Sequence, residues 1–223
     1  MKKIVVLISG SGSNLEAIIE SCTAKKINGK VIHVISNNPD AFGLSRASKF
    51  NIASKVIDHK KFSSRIDFEN SLEDCLDTLS PDLIVLAGFM RILGTKITSK
   101  FSNKMINLHP SLLPMYPGLH THEKVLENKD TRHGISIHYV SSELDAGPLI
   151  AQGFIDISKD ETLENIIKRI HKIEHLLLPE IINEICNENI YLDNNEVKYR
   201  NINLHNHKLI KRSYETVSYT HLT

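Results

Sequence analysis

The chain has 223 residues, 41% of them hydrophobic and 24% charged, with 27 Lys and Arg against 26 Asp and Glu. That length and balance describe one globular domain, or one domain and a tail, large enough to bury a core without disulfides or metals. A formal net charge of +1 offers no electrostatic footprint for a nucleic acid, and no run approaches the roughly 20 apolar residues that span a bilayer.

Lys2-Lys3 followed by Ile4-Val5-Val6-Leu7-Ile8 resembles the start of a secretion signal. The apolar run ends at Ser9-Gly10, too short for a signal core, and no small-residue cleavage site follows. The three cysteines, Cys22, Cys75 and Cys186, are odd in number, far apart and without a Cys-x-x-Cys. They read as small buried hydrophobes in a reducing compartment. A soluble, cytoplasmic protein with no membrane partner is expected.

In chain order, apolar runs predict strands at residues 3–9, 31–36, 55–57, 83–87, 104–108, 135–140 and 149–157. Helical periodicity predicts helices at 14–22, 41–50, 66–79 and 122–128 between them. The early strands are almost continuously apolar, as expected when helices cover both faces of a parallel sheet. Residues 141–148 join the last two strands with no helix between, which suits an antiparallel pair or a sheet edge. The pattern is that of an α/β protein with a doubly wound, mostly parallel, Rossmann-like sheet. A long apolar face then runs from Leu163 to Ile185, with Pro179 expected to kink or break the helix. Ile190-Tyr191-Leu192 and Val197-Lys198-Tyr199 flank Asp193-Asn194-Asn195-Glu196 as a small hairpin. From Asn201 the sequence is polar, His-rich and aperiodic, and 218–223 carries no structural signal. The expected division is a catalytic domain over 1–190 and a hairpin with tail over 191–223.

Five stretches bear on chemistry. Ser9-Gly10-Ser11-Gly12-Ser13-Asn14-Leu15 links the first strand to the first helix, where free amides attract phosphate. Leu15 replaces the third glycine of a dinucleotide fingerprint, and the second strand ends in Ser36-Asn37-Asn38, not in a ribose-binding acid. The loop therefore reads as a phosphate site and not a nicotinamide site, against the plainer reading of a tight turn with Ser13 as N-cap. Gly88-Phe89-Met90-Arg91-Ile92-Leu93 follows a buried strand and can wall a flat heterocycle pocket, although core packing explains Leu83–Ala87 well enough.

Met105-Ile106-Asn107-Leu108-His109-Pro110 runs from a strand into a proline-stiffened turn. Alternation puts Asn107 and His109 on one side, at the carboxyl end where open α/β sheets hold ligands. Leu144-Asp145-Ala146-Gly147-Pro148 can bring a carboxylate to that imidazole. Together these are the parts for oxyanion stabilisation and proton transfer in acyl transfer. His171-Lys172-Ile173-Glu174-His175 matches a metalloprotease pattern. Without a third ligand it reads as helix-surface histidines, or as a carboxylate reaching a ligand cleft. No metal is expected.

Taken together, these residues resemble the folate-dependent glycinamide ribonucleotide formyltransferase family, from the start of the chain to about Asn189. The likeness rests on residues 5–15, 87–93, 107–122, 133–138 and 144–148. The resemblance implies 10-formyltetrahydrofolate as co-substrate and phosphoribosylglycinamide as formyl acceptor, both small molecules. It implies Asn107 as oxyanion donor, His109 as charge stabiliser and proton donor, and Asp145 holding His109 and favouring its charged form. It also implies Gly12, Ser13 and Asn14 at the substrate phosphate and Glu174 near the ribose. Arg65, Met90, Arg91, Ile92 and Leu93, with Ser141, Ser142, Glu143 and Leu144, would border the folate. Two alternatives stand beside it: a formyltetrahydrofolate hydrolase with water as acceptor, and a non-catalytic nucleotide-binding module.

Overall fold

In a computed structural model that describes residues 1–200 and 210–214, the strand–helix alternation folds into one large sheet. Its strands are β1 (Lys2–Ile8), β2 (Gly29–Ser36), β3 (Ser54–Val56), β4 (Leu83–Leu86), β5 (Met105–His109), β6 (Arg132–Tyr139), β7 (Leu149–Asp156) and β10 (Ile210–Ser213). Their order is β10-β7-β6-β5-β4-β1-β2-β3. Pairing is parallel from β3 through β5, β6 alone is antiparallel to its neighbours, and β10 runs parallel to β7. β8 (Ile190–Asp193) and β9 (Glu196–Tyr199) form the separate hairpin.

The apolar run of β1 is explained by two cores. Ile4, Val6 and Ile8 pack on one face and Val5 and Leu7 on the other, so alternation of side chains sends neither set to water. The helices are α1 (Ser13–Thr23), α2 (Phe42–Lys49), α3 (Arg65–Leu79), α4 (Thr95–Lys100), α5 (Thr121–Glu127) and α6 (Leu163–Cys186). Ser64 caps α3 by accepting from the Asp67 amide, and Thr162 caps α6 by accepting from Asn165. Each satisfies one of the free donors at a helix start.

Three elements differ from expectation. α6 continues through Pro179 as one helix. The lost backbone bond costs about 3 kcal/mol in an isolated helix, but Ile173, Leu177, Leu178, Ile181 and Ile182 are buried on both sides of the proline. Packing of that face, and not local propensity, holds the helix. α4 follows Gly94 and was not visible in the periodicity because only six residues form it. β10 lies in the polar stretch expected to be tail, and joins the main sheet through Ile210. Apart from Tyr214, the rest of that stretch, including 218–223, lies outside the described residues.

The cysteines match their expected role. Cys75 and Cys186 are buried and Cys22 is half-buried, all as free thiols, and burial pushes Cys186 up to about 12 and Cys22 up to about 11. Among the described residues no helix is long and apolar enough to cross a membrane.

Because α6 is held by its buried face, Leu177→Ala should lower unfolding free energy by about 2–5 kcal/mol, the usual cost of a core leucine truncation. Denaturant titration measures it, and a loss below 1 kcal/mol would mean that the helix is anchored elsewhere.

Candidate active site

The ends of β4 and β5, the loop after β5 and the turn between β6 and β7 converge on a cleft of about 620 Å³. Asn107 and His109 face it from β5, as strand alternation requires, and Asp145 enters from the turn. Asp145 adopts a left-handed φ of 51°, which turns its carboxylate back toward the strand. Oδ2 then lies 3.3 Å from His109 Nδ1 and accepts the Gly118 N–H at 2.9 Å, while Oδ1 accepts from Asn107 Nδ2 at 3.4 Å. The three residues picked out in sequence are brought together.

Two partners were not foreseen. His109 Nε2 lies 2.8 Å from the Tyr116 carbonyl oxygen, in the loop after β5. Asn107 Nδ2 lies 3.1 Å from His138 Nε2, and the other nitrogen of His138 lies 2.9 Å from the Tyr139 carbonyl. A carbonyl can only accept, so His138 Nδ1 carries the hydrogen and Nε2 offers a lone pair to the Asn107 amide. Burial holds His138 below the usual histidine range, which keeps that lone pair available. In sequence His138 carried no assigned role. Its role depends on the register that sets Asn107 opposite His138, and register was not readable in advance.

The loop from Pro110 is fixed from beneath. Ser136 Oγ accepts the Leu113 N–H at 3.0 Å and donates to the Ser111 carbonyl at 2.7 Å. Gln152 donates to the Leu113 carbonyl at 2.9 Å and to Ser136 Oγ at 3.0 Å. These buried polar atoms all have partners, as a rigid polar layer requires.

The cleft wall is apolar. Met90 and Ile92 expose 61% and 52% of their surface, and with Leu93, Arg91 and Leu144 they line it. Gly88 holds φ at 73°, so the chain can reverse at the end of β4 without strain. Ser141 and Glu143 also line the cleft, whereas Arg65 and Ser142 do not. Arg65 pairs instead with Glu69 at 2.6 Å, and Glu69 accepts the Gly94 N–H at 2.8 Å, so Arg65 stands beside the far end of the same loop.

The loop after β1 differs in one detail from the simple turn. Gly12, not Ser13, is the N-cap of α1, at φ 71° and with no side-chain cap, which leaves the helix start open to an anion. A Cβ on Gly12 would stand 2.5 Å from Gly43 Cα, whereas one on Gly10 would meet nothing within 4 Å. Glycine is thus needed at position 12 by the fold and at position 10 leaves open space. Arg46 braces the loop from α2, donating to the Ser11 carbonyl at 2.9 Å and pairing with Glu16. Asn14 donates to Glu174 Oε2 at 2.9 Å, so the α6 carboxylate reaches this loop. Burial raises the Glu174 carboxyl, partly offset by the Asn14 hydrogen bond. No cluster of three or more His, Cys, Asp or Glu suited to a metal occurs among the described residues.

Residues 2–182 match the formyl transferase family model. The chain belongs to the formyl transferase family. It is 47% identical over 179 residues to phosphoribosylglycinamide formyltransferase of Escherichia coli K12, covering 80% of this chain and 84% of that protein. The Haemophilus influenzae enzyme of the same name is 42% identical, covering 82% and 86%. A solved phosphoribosylglycinamide formyltransferase from Coxiella burnetii, in complex with CHES, superposes with a TM-score of 0.88 at 43% identity, over 95% of this chain and 99% of that one. The family accounts for the mostly parallel sheet and places the described cleft in a transferase.

His122, which lines the cleft, meets the buried His133. His122 Nδ1 lies 2.8 Å from His133 Nε2, and burial pushes His133 down to about 3. Between pH 3 and 6.5 the unfolded chain takes up a proton at this position that the folded chain refuses. The contribution of this group to stability is therefore complete above pH 6.5 and declines as pH falls, by up to about 1.4 kcal/mol per pH unit. His133→Gln should show a smaller drop in denaturant midpoint between pH 7 and 5 than wild type. An equal drop would assign the acid sensitivity to other groups.

Proposed function

We propose that this chain transfers the formyl group of 10-formyltetrahydrofolate to the glycyl amine of phosphoribosylglycinamide, a step of de novo purine biosynthesis. The observation that carries it is the meeting of Asn107, His109 and Asp145 in an apolar-walled cleft, with an open helix start beside it. The relatives named above supply the reaction class. Cysteine usage and the absence of a long apolar helix among the described residues suit a cytoplasmic enzyme. All assigned residues lie within 1–190, which we take as the catalytic unit.

The folate ring lies along Met90, Arg91, Ile92, Leu93 and Leu144, with Ser141 and Glu143 at its border, Ser142 between them outside the lining, and Arg65 toward its distal end. The ribonucleotide phosphate takes the amides of Gly12, Ser13 and Asn14, and Glu174 meets the ribose. The amine lone pair attacks the formyl carbon, and the carbonyl electrons move to oxygen. Asn107 donates to that oxyanion, exchanging its long 3.4 Å contact with Asp145 for the stronger acceptor. His109 stabilises the same charge and delivers a proton to the departing folate nitrogen as the carbon–nitrogen bond breaks. The proton lost by the attacking amine restores it. Asp145 orients the imidazole through Nδ1. A separate phosphate loop favours a phosphorylated acceptor over water, because hydrolysis needs no such anchor.

Purified protein assayed with 10-formyltetrahydrofolate and either phosphoribosylglycinamide or water decides the acceptor. Formylation of the amine should far exceed hydrolysis. Asn107→Ala should lower kcat about 10²–10³-fold, the usual loss for an oxyanion donor, and His109→Ala at least as much. Asp145→Asn should also lower kcat, and double replacements should be far from additive. Near-normal kcat with reduced thermal stability in all three would make the constellation structural. Glu174→Ala should raise KM for the ribonucleotide with little change for folate. A rise for folate alone would reverse the assignment of the two subsites.

A further inference from the structure

Ser9 sits at the end of β1, before the phosphate loop, and is absent from the roles assigned above. Its four contacts lead to two different places. The backbone N–H donates to the Gly88 carbonyl at 3.1 Å, and the backbone carbonyl accepts from Asn38 Nδ2 at 3.1 Å. The hydroxyl donates to Asn37 Oδ1 at 2.5 Å and accepts the Met90 N–H at 2.7 Å. Asn37 is buried, and its Nδ2 lies 3.1 Å from His59 Nδ1. His59 Nδ1 lies equally close, at 3.0 Å, to the Asn37 backbone carbonyl.

The Met90 N–H can only donate, so the Ser9 oxygen accepts from it. Asn37 Oδ1 has no hydrogen to give, so the Ser9 proton points to it and the oxygen lone pairs face Met90. Asn37 thereby aims Ser9, and Ser9 aims the Met90 amide. Asn37 occupies the position where a dinucleotide-binding sheet would hold an acid against ribose. Here it serves another purpose.

We infer that Ser9 is a positioning residue for the formyl donor: its hydroxyl holds the Met90 amide and with it the exposed wall of the cleft, from a turn shared with the phosphate loop. Met90 and Ile92 leave more than half of their surface exposed, between the buried Phe89 and Leu93. Gly88, at the root of the loop, contributes no side chain to stiffen it. The Ser9–Met90 bond is the clamp that sets where this wall stands relative to Asn107 and His109. It also makes the two substrate subsites neighbours through one side chain. The inference rests on the proposed reading that this cleft receives the folate.

Steady-state kinetics with 10-formyltetrahydrofolate and phosphoribosylglycinamide test it, together with calorimetric binding of 10-formyltetrahydrofolate to wild type. Failure of wild type to bind that molecule would remove the folate reading itself. With binding established, Ser9→Ala should raise KM for the donor about three- to tenfold, the equivalent of one neutral hydrogen bond. KM for the ribonucleotide, kcat and the melting temperature should stay near wild type. Ser9→Thr, which keeps the hydroxyl, should restore most of the donor KM. An unchanged donor KM in Ser9→Ala, an equal rise for both substrates, or no difference between the Ala and Thr variants would overturn the inference.

Discussion

A buried carboxylate must be surrounded by donors or give up its charge, and Asp145 meets this condition by gathering three segments around itself. The Gly118 amide comes from the loop after β5, His109 and Asn107 from β5, and the carboxylate from the turn after β6. Each depends on backbone geometry that side chains alone do not provide: left-handed φ at Asp145 and Gly118, and a close approach of Gly147 to the Tyr139 carbonyl, where a Cβ would stand 1.8 Å from oxygen. The loops are held to the carboxylate, and the carboxylate is held to the sheet. Displacing any one of them leaves the carboxylate with fewer partners.

The sheet makes that arrangement possible by presenting several strand ends at one edge. β1, β4 and β5 are adjacent and parallel, so the loops that follow them emerge side by side. The reversal at β6 then brings a turn with no helix in it. Phosphate loop, apolar wall and catalytic strand are consecutive along the sheet although about 100 residues separate Ser9 from His109 in the chain. Both faces of these strands are buried, which leaves the strand ends as the place where polar side chains can meet a ligand.

Much of this was legible in the residues. Continuous apolar strands separated by periodic helices implied a covered parallel sheet, and the alternation of Asn107 and His109 implied one shared side. Features that depend on distant partners were not legible. His138 needed the β5–β6 register, Tyr116 needed the path of a proline-bounded loop, and the unbroken α6 needed the packing around Pro179. β10 was hidden because four residues, of which only Ile210 is buried, give no periodic signal. Ser13 gave way to Gly12 at the helix cap for a related reason, since contact with Gly43 on another helix dictates the backbone there.

β10 also changes the character of the sheet's border. Without it, β7 would present eight residues of unpaired backbone, a template for a second chain to add on. With it, the outermost strand is four residues long and carries Lys211 and Arg212, with Arg212 tied to Glu180 at 3.0 Å. The opposite border ends in β3, three residues long with Lys55 at its centre. Short, cationic outer strands resist edge-to-edge association. A sheet of eight strands is thereby closed on both sides against growth.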